Sequence, residues 1–404
     1  MTAESKEKFS LVEGRKVKDL SAFFVLLFML ISLSALSYVP SLIQARTLFF
    51  VLLYGLFFIF AFFSCDWRSI SLKWLSLAGC GLSALIINFF VSVLDDVSID
   101  RWVRSFVPML FFFTVFSCLI YVRLIGCERV LKLLLASCFS YCFFLLVLNF
   151  EDFLNFIGLG GRLTFYLQDS VVPYPYLGLI LAVLLPRILL PLRVFLLSVF
   201  AFFVLIVGYK SQIIFLLFFG LFFALFVSSG FQRILYIVLL VIFSSLIFLF
   251  MSDYLIQRFS SIGGGGDEVR MLEARYAWEV FLSSPVWGGG LGTEVPLSLT
   301  RPNYEELQHL WDSDTVSYIH NFPMYLLMVG GGVFFLLFFL LLQLSGFFSI
   351  SNLWSRNKCV MAAMWCAFAL MFFFLTSAAF KQVQSVILLS FFIAVLSASR
   401  KTSI

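Results

Sequence analysis

The sequence predicts an all-α polytopic membrane protein with about twelve transmembrane helices and one long outer loop that contains short helices. Hydrophobic residues make up 62% of the 404 residues and charged residues only 12%. A soluble domain has about 45–50% apolar and about 25% charged residues. The apolar residues also fall into runs of the length that a helix needs to cross a bilayer, roughly 20 residues. This composition excludes a soluble enzyme, a secreted disulfide scaffold and a disordered protein.

Twelve apolar runs in the sequence are candidate spans. They cover residues 20–43, 47–64, 72–94, 104–125, 130–150, 171–189, 191–209, 211–229, 233–252, 318–348, 359–380 and 383–398. No small-residue cleavage site follows the first run at a suitable spacing, so we interpret it as an uncleaved span and not as a signal peptide. The eight cysteines lie in or beside the runs without metal-binding spacing, which predicts that they fill core space.

The distribution of charge along the chain orients the spans. With the N-terminus inside and the spans alternating, most of the 27 Lys and Arg residues fall inside and most of the 22 Asp and Glu residues outside. Basic residues in short loops are retained on the cytoplasmic side. The predicted order is a cytoplasmic tail at 1–19, transmembrane helices 1–9 within 20–252, an outer loop at 253–317, transmembrane helices 10–12 within 318–398 and a cytoplasmic tail at 399–404. The net charge of +5 is too small to indicate nucleic-acid binding.

The outer loop at 253–317 is the segment that we expect to hold a functional site. Loops longer than about 15 residues in compact folds are usually functional or disordered. Within this loop, apolar residues recur at helical spacing from about 268 to 283, and Pro285 then ends the predicted helix. The sequence therefore predicts a folded loop with an amphipathic helix of its own.

His320 opens the tenth predicted span in the string Tyr-Ile-His-Asn-Phe-Pro, at the expected water boundary. The ordinary pKa of a histidine suits proton transfer near neutral pH, so His320 is a candidate general base for an incoming hydroxyl. A structural hydrogen bond at the interface is the alternative role. Asn321 is a candidate for orienting a substrate or for capping the helix. Asp312 and Asp314 form an isolated DxD pattern, too weak to predict a metal site, and are alternative acidic helpers of His320.

Five cationic residues on the predicted outer side are candidates for binding a diphosphate. They are Arg162, Lys210, Arg258, Arg270 and Arg275. Arg binds phosphate bidentately, and cationic clamps stabilise a phosphate leaving group. Arg270 and Arg275 are five residues apart, so only one is expected to face a site. The alternative for both is a solvated helix face with pairing to acidic residues. Those residues are Glu268, Glu273 and Glu279. Lys210 lies between two apolar spans and either faces a cavity or snorkels to the interface.

The order of these features along the C-terminal half resembles a known family. The string from Arg270 through Arg275-Tyr-Ala-Trp-Glu to Pro285-Val-Trp-Gly-Gly-Gly-Leu-Gly292 is followed by His320-Asn321 and by Gly330 to Gly332. This pattern is similar to the long periplasmic loop and His-Asn…Gly motif of the O-antigen ligase and O-antigen polymerase superfamily. The N-terminal half matches that superfamily only as a set of apolar spans.

The resemblance implies an integral-membrane glycosyltransferase of the GT-C type that works without a metal or cofactor. It implies a bacterial inner-membrane protein, with both termini cytoplasmic and the active site facing the periplasm. The implied donor is a glycan on undecaprenyl diphosphate in the membrane lipid, and one direct displacement would invert the anomeric carbon. His320 is the implied general base and Arg270 the implied diphosphate ligand, with Arg275 as second choice because the spacing to Pro285 favours Arg270.

The acceptor and one sequence departure leave alternatives open. A lipid A-core acceptor defines a ligase, which we favour, and a lipid-linked repeat unit defines a polymerase. Many members carry Ser-Arg at a span start before the loop, where this sequence has Lys210-Ser-Gln. Lys holds a phosphate only as a point charge, so Lys210 either replaces that Arg or shares its role with Arg162 or Arg258. A transporter or flippase also fits twelve spans, but the sequence shows few intramembrane charges and no half-to-half repeat.

Overall fold

The structure is a computed structural model, and it describes part of the chain. The described residues are 19–32, 43–66, 70–94, 97–148, 150, 173–207, 210–227, 230, 265–300, 314–316, 319–377, 380 and 382–400, with short pieces within 233–245. Apart from two two-residue strands, the regular elements in these ranges are helices. The predicted all-α class is therefore confirmed.

The following helices are described before the long loop. They are α1 (Asp19–Ser32), α2 (Ile43–Ser64), α3 (Leu72–Leu94), α4 (Ile99–Phe106), α5 (Phe111–Ile125), α6 (Cys127–Leu148), α7 (Tyr174–Leu184), α8 (Leu190–Val207) and α9 (Lys210–Phe222). A 3₁₀ turn at Val107–Leu110 joins α4 to α5, where Pro108 cannot donate a backbone hydrogen bond. A π-helical turn, Phe223–Val227, extends α9.

The described elements of the C-terminal half begin with the predicted loop helix. They are α10 (Gly265–Ser283), β1 (Val295–Pro296), α11 (Leu297–Thr300), β2 (Thr315–Val316), α12 (Phe322–Ser345), α13 (Lys358–Thr376) and α14 (Val383–Arg400). A 3₁₀ turn at Ile350–Trp354 lies between α12 and α13. The predicted amphipathic helix at 268–283 is thus present, and it begins three residues earlier than predicted.

Several helices have the length and composition of membrane spans. Among the described residues, five qualify: Leu72–Leu94, Pro108–Ile125, Cys127–Val147, Phe322–Ser345 and Lys358–Leu375. Shorter apolar helices accompany them, and large apolar side chains such as Phe63 and Leu94 point outward. The chain is therefore a polytopic membrane protein. The number of twelve spans stays a prediction, because much of 233–252 and the ends of other predicted spans lie outside the described residues.

The helix packing divides the predicted loops between two ends of the bundle. At one end, Arg187 lies 3.4 Å from Glu128, and Cys127 Sγ lies 3.8 Å from Ser399 Oγ. At the other end, Arg101 at the start of α4 pairs with Glu294 at 3.2 Å, beside the turn that follows α10. This grouping agrees with alternating spans, while the membrane side that each end faces stays a prediction.

Candidate functional site

Helix α12 is broken at Gly331, whose backbone angles of φ 59° and ψ −159° are not helical. In an unbroken helix, the N–H groups of Gly332 and Val333 would donate to carbonyls four residues earlier. Here Gly332 donates to the carbonyl of Pro285 at 2.8 Å, and Val333 donates to that of Val286 at 3.3 Å. The turn that follows α10 therefore supplies the acceptors that α12 lacks.

The two carbonyls left without those donors belong to Met328 and Val329. Met328 accepts a hydrogen bond from the N–H of Gly289 at 2.8 Å, and Val329 accepts one from Nδ2 of Asn88 at 3.0 Å. Irregular backbone is tolerated at membrane depth only where protein or a water-filled cavity surrounds it. The break in α12 meets this condition because its four displaced backbone groups all have new partners.

Asn88 on α3 holds the turn and the broken helix together. Its side chain is fully buried, and its Oδ1 accepts a hydrogen bond from the N–H of Leu291 at 2.7 Å. Its Nδ2 also lies 3.3 Å from the carbonyl of Trp287, and Ser92, one turn later, donates to the carbonyl of Leu291 at 2.8 Å. Our sequence reasoning missed Asn88. The available signal was an amide within an apolar span, since polar groups there are expensive and often functional.

The close approach of the turn to α12 explains two of the glycines in the family-like pattern. Gly288 has φ 66°, and a Cβ there would lie 2.5 Å from the carbonyl oxygen of Met328. Gly331 has φ 59°, and a Cβ there would lie 2.4 Å from the carbonyl oxygen of Val286. Both positions need glycine for the left-handed backbone and for the missing side chain.

Helix α10 packs on α12 through a face that contains one carboxylate. Ala277 on this face is fully buried and Glu273, one turn earlier, is 1% exposed. Tyr276 donates from its hydroxyl to the carbonyl of Glu294 at 3.3 Å, just before β1. Burial raises the pKa of the Tyr276 phenol, so this side chain stays a neutral donor. These contacts fix the rotation of α10 and aim Glu273 at the start of α12.

The start of α12 brings His320 against that carboxylate. Val295 and Val316 pair in the short antiparallel ladder of β1 and β2, which leads the chain toward the fully buried Ile319. The backbone N–H of His320 donates to Oε2 of Glu273 at 2.9 Å, and its ring Nδ1 lies 2.9 Å from the same oxygen. The His320 side chain is 30% exposed while that of Glu273 is 1% exposed.

This arrangement has the chemistry of an acid that orients a base. A backbone N–H can only donate, so Oε2 acts as an acceptor toward it. With an ionised carboxylate, Nδ1 carries the imidazole proton, and neutral His320 keeps its lone pair on Nε2. A buried carboxylate that holds a histidine in one tautomer is a known arrangement for general-base catalysis. Glu273 was considered in the sequence only as a surface partner of arginines, so its contact with His320 was also missed.

Two other predicted site residues near His320 in the sequence, Asn321 and Asp314, each accept a hydrogen bond from a backbone N–H. Asn321 is the N-cap of α12, where its Oδ1 accepts a hydrogen bond from the N–H of Met324 at 3.1 Å. Asp314 has an exposed side chain, and its carbonyl accepts from the N–H of Leu297 at 3.0 Å. The capping alternative for Asn321 is therefore observed, while an additional role toward a substrate stays a prediction.

The two arginines of α10 lie on different sides of the helix. Successive residues of an α-helix are rotated by about 100°, so Arg270 is about 60° from Glu273 and Arg275 is about 160° from it. Arg275 Nε lies 3.0 Å from Oε1 of Glu279, and both side chains are largely exposed. Arg270 is exposed at the start of the helix, on the side that carries Glu273. Arg275 therefore forms a surface ion pair, and a role for Arg270 toward a substrate stays a prediction.

The remaining cationic candidates are not brought into this site by the described residues. Arg162 and Arg258 lie outside the described residues, as does Asp312. Lys210 is the first residue of α9, and its side chain is not described. Within the described part of the chain, no three His, Cys, Asp or Glu side chains are grouped as metal ligands.

Fold and site together define a multi-pass membrane protein with a buried carboxylate–histidine pair at the mouth of a broken helix. Residues 194–340 match the family described as O-antigen ligase. The match runs from α8 into α12 and includes Arg270, Glu273 and His320, so the resemblance to the O-antigen ligase superfamily is confirmed. This family supports a function of the O-antigen ligase or polymerase type in a bacterial membrane. No curated protein matches the chain at a significant level.

Proposed function

We propose that this protein transfers a glycan from undecaprenyl diphosphate to an acceptor hydroxyl, with His320 as the general base. The single observation that carries the proposal is the pairing of His320 Nδ1 with the buried carboxylate of Glu273 at 2.9 Å. That pairing places the imidazole proton on Nδ1 and leaves the ring lone pair on Nε2, on a side chain that is 30% exposed. The match of residues 194–340 to the O-antigen ligase family supports this reaction class.

The proposed reaction is one direct displacement at the anomeric carbon of the lipid-linked glycan. Nε2 of His320 accepts the proton of the acceptor hydroxyl, and the hydroxyl oxygen forms the new glycosidic bond to the anomeric carbon. The bond from the anomeric carbon to the diphosphate breaks, and undecaprenyl diphosphate leaves with the electron pair. A single displacement of this kind inverts the anomeric carbon. The imidazolium that forms is stabilised by the carboxylate of Glu273.

Charge on the leaving diphosphate needs cations near the broken bond. Arg270 is the first candidate because it lies on the same side of α10 as Glu273. Lys210, Arg162 and Arg258 remain proposed contributors from the sequence pattern, whereas Arg275 pairs with Glu279 and is the weaker candidate. Positively charged groups aimed at a developing phosphate charge act most strongly where water is excluded. The mechanism that we propose routes no step through a metal.

The proposed setting follows from the charge distribution and the family. We propose that the end of the bundle with His320 faces the periplasm, that residues 253–317 form the periplasmic loop, and that both termini are cytoplasmic. The protein would then act in the bacterial inner membrane, where a lipid-linked donor is available. We favour lipid A-core as the acceptor, which makes the protein a ligase. The polymerase alternative has a lipid-linked repeat unit in its place.

Two substitutions of His320 test the proposed base. His320→Ala removes the imidazole, and His320→Asn keeps an amide N–H that can donate to Glu273 but offers no basic nitrogen. We expect a strain that lacks the native copy to regain surface glycan with the wild-type protein and with neither variant. Both variants should be present in membranes at wild-type levels. Surface glycan made by the His320→Asn variant would overturn the role of His320.

The lipid that accumulates identifies the acceptor class. A strain without a ligase keeps the polymer on its lipid carrier, whereas a strain without a polymerase accumulates single capped repeat units. Separation of lipid-linked glycans by length distinguishes these patterns directly. A purified-protein assay with a defined undecaprenyl-diphosphate glycan and either acceptor, with and without a chelator, then tests the proposed acceptor and the metal-independent reaction.

A further inference from the structure

A cationic cavity lies at the end of the bundle opposite to His320. Its volume is about 470 Å³, and Glu128, Arg129, Lys132 and Arg187 line it. These residues come from the start of α6 and from the turn between α7 and α8. Helix α5 separates the two ends, because it starts next to α4 and ends at Ile125 in the cavity wall. Its length of roughly 20 Å separates this cavity from the proposed glycan site.

The charges around the cavity are not balanced. Glu128 is the only acid among the described residues that line it, against the three cations Arg129, Lys132 and Arg187. Its Oε1 lies 2.9 Å from Nζ of Lys132, and its Oε2 lies 3.4 Å from Nη1 of Arg187. One carboxylate therefore arranges two of the cations, and an excess of two positive charges remains in the cavity. An anion with strong acceptor oxygens would complete it.

The backbone at Arg187 indicates that its position is constrained. Among the described residues, Arg187 is the single non-glycine residue with positive φ, at 56°. Residues with a β-carbon adopt this conformation rarely, and such strain often accompanies a binding role. The Arg187 side chain is 81% exposed, and its guanidinium lies 3.4 Å from Glu128.

Apolar side chains continue from the cations along the outer surface of the bundle. Leu189 and Leu190, immediately after Arg187, are 76% and 71% exposed, and Val194 on the next turn of α8 is 55% exposed. Cations followed by an exposed apolar strip match a lipid, with an anionic headgroup at one end and acyl chains at the other. Soluble phosphate would use only the cations. Basic pockets between transmembrane helices are known to bind anionic lipid headgroups.

We propose that this cavity, formed by Arg129, Lys132 and Arg187, binds the phosphate of an anionic phospholipid whose acyl chains lie along Leu189, Leu190 and Val194. The ligand class is a phosphodiester headgroup such as that of phosphatidylglycerol. The site is separate from the glycan-transfer site and does not depend on the acceptor or donor of that reaction. Each cation near an anionic lipid surface contributes a factor of about five to the binding constant.

Lipid titration of the purified full-length protein tests the proposal. The protein in neutral detergent is titrated with phosphatidylglycerol, phosphatidylcholine or inorganic phosphate, and the unfolding midpoint is followed by tryptophan fluorescence. We expect saturable stabilisation by phosphatidylglycerol and none by phosphatidylcholine or inorganic phosphate. The double variant Arg129→Gln/Arg187→Gln should bind phosphatidylglycerol about 25-fold more weakly. Arg187→Lys, which keeps the charge, should lose less than about fivefold.

The matched control removes a cation that does not line the cavity. Arg356 is exposed beside the start of α13, so Arg356→Gln should change the dissociation constant less than about twofold. An equal loss in Arg356→Gln would mean diffuse surface charge and would overturn the site. Stabilisation by inorganic phosphate at comparable concentration would overturn the choice of a lipid. Unchanged phosphatidylglycerol binding in the double variant, with an unfolding midpoint equal to wild type without lipid, would also refute the proposal.

Discussion

Oε2 of Glu273 lies 2.9 Å from both the backbone nitrogen and the ring Nδ1 of His320, although 47 residues separate the two in sequence. This one oxygen joins the loop helix α10 to the mouth of α12. The hydrogen bond from the backbone N–H fixes the position of the His320 backbone. The hydrogen bond at Nδ1 fixes the orientation and the tautomer of the ring. Any movement that separates α10 from α12 would therefore remove the orientation of the proposed base along with its partner.

Replacing Glu273 by Gln should reduce turnover without a matching loss of donor binding. The carbonyl oxygen of Gln can still accept from the backbone N–H and from Nδ1–H, but it has no negative charge to stabilise the imidazolium that forms when His320 takes the proton. We expect kcat to fall by about 100-fold or more and KM for the lipid-linked donor to change less than about threefold. Steady-state kinetics of the purified protein measures both values.

The control for that substitution is the same change elsewhere on the same helix. Glu279 pairs with Arg275 on the exposed side of α10, so Glu279→Gln should leave kcat within about twofold of wild type. Glu273→Asp should recover part of the lost rate, because a carboxylate remains. A wild-type rate in Glu273→Gln would show that the carboxylate does not position His320.

The two arginines of α10 should differ in their effect on donor binding. Arg270 shares the side of the helix that carries Glu273, whereas Arg275 is paired with Glu279 at 3.0 Å on the exposed side. Arg270→Gln should raise KM for the diphosphate donor and lower kcat/KM by about 10-fold or more. Arg275→Gln should change stability by less than about 0.5 kcal/mol and kcat/KM less than about twofold. Equal losses in both variants would contradict the assignment by helix face.

Much of the fold could be predicted because hydropathy and helical spacing are local properties. The run at 72–94 and α3 coincide, and the predicted loop helix coincides with α10 within three residues. The partner of His320 could not be predicted in the same way. From the sequence alone, the same role could be assigned to any of three acids on this helix, Glu268, Glu273 and Glu279. Only the rotation of α10 against α12 determines that Glu273 is the buried one.

The broken helix shows a different limit of sequence reasoning. The membership of Gly330 to Gly332 and of the segment after Pro285 in one family-like pattern was predicted. Their direct contact was not, because nothing local pairs Val286 with Val333 or Gly289 with Met328. Asn88 lies about 200 positions earlier in the chain than the turn it holds, as the separation of 203 from Leu291 shows. Contacts at that separation depend on the packing of whole helices.

Substitutions of Asn321 separate capping from substrate contact. Its Oδ1 accepts from the N–H of Met324, and Ser can make the same bond while Ala cannot. If capping is its main role, Asn321→Ser should keep full activity, and Asn321→Ala should lose about 1 kcal/mol of stability. Thermal unfolding and glycan transfer are measured on both. Loss of transfer in the stable Ser variant would instead support a direct role toward the substrate.

A methyl group at Gly331 should separate the turn from α12. The residue has φ 59°, and the added Cβ would lie 2.4 Å from the carbonyl oxygen of Val286. Backbone strain of about 1–2 kcal/mol adds to that steric clash, so Gly331→Ala should lose more than about 3 kcal/mol. Gly79→Ala on α3 meets no atom within 4 Å and should be neutral or slightly stabilising. Similar unfolding midpoints for the two variants would mean that the turn and α12 do not touch as described.

Removal of the Asn88 side chain tests whether this residue holds the turn against α12. The size of the loss in unfolding free energy distinguishes two interpretations of its hydrogen bonds. An ordinary side-chain hydrogen bond between membrane helices contributes about 0.6 kcal/mol, because the separated helices find other partners. Asn88 instead contacts the carbonyls of Val329 and Trp287 and the N–H of Leu291, and its own side chain is fully buried. Each such group costs about 1–3 kcal/mol when left unsatisfied, so Asn88→Ala should lose at least about 3 kcal/mol and most glycan transfer.

The comparison variants for Asn88 remove side chains that are expected to contribute less to the free energy of unfolding. Ser92→Ala removes a hydroxyl that lies within hydrogen-bond distance of the carbonyls of Leu291 and Asn88 and should cost about 1 kcal/mol. Ser198→Ala loses only a bond to Val194 within α8 and should be close to neutral. The expected order of unfolding midpoints is therefore Ser198→Ala, then Ser92→Ala, then Asn88→Ala. Equal unfolding midpoints for Asn88→Ala and Ser198→Ala would contradict this prediction. Helix α3 would then contribute nothing to holding the turn beside His320, and the broken backbone of α12 would need other hydrogen-bond partners.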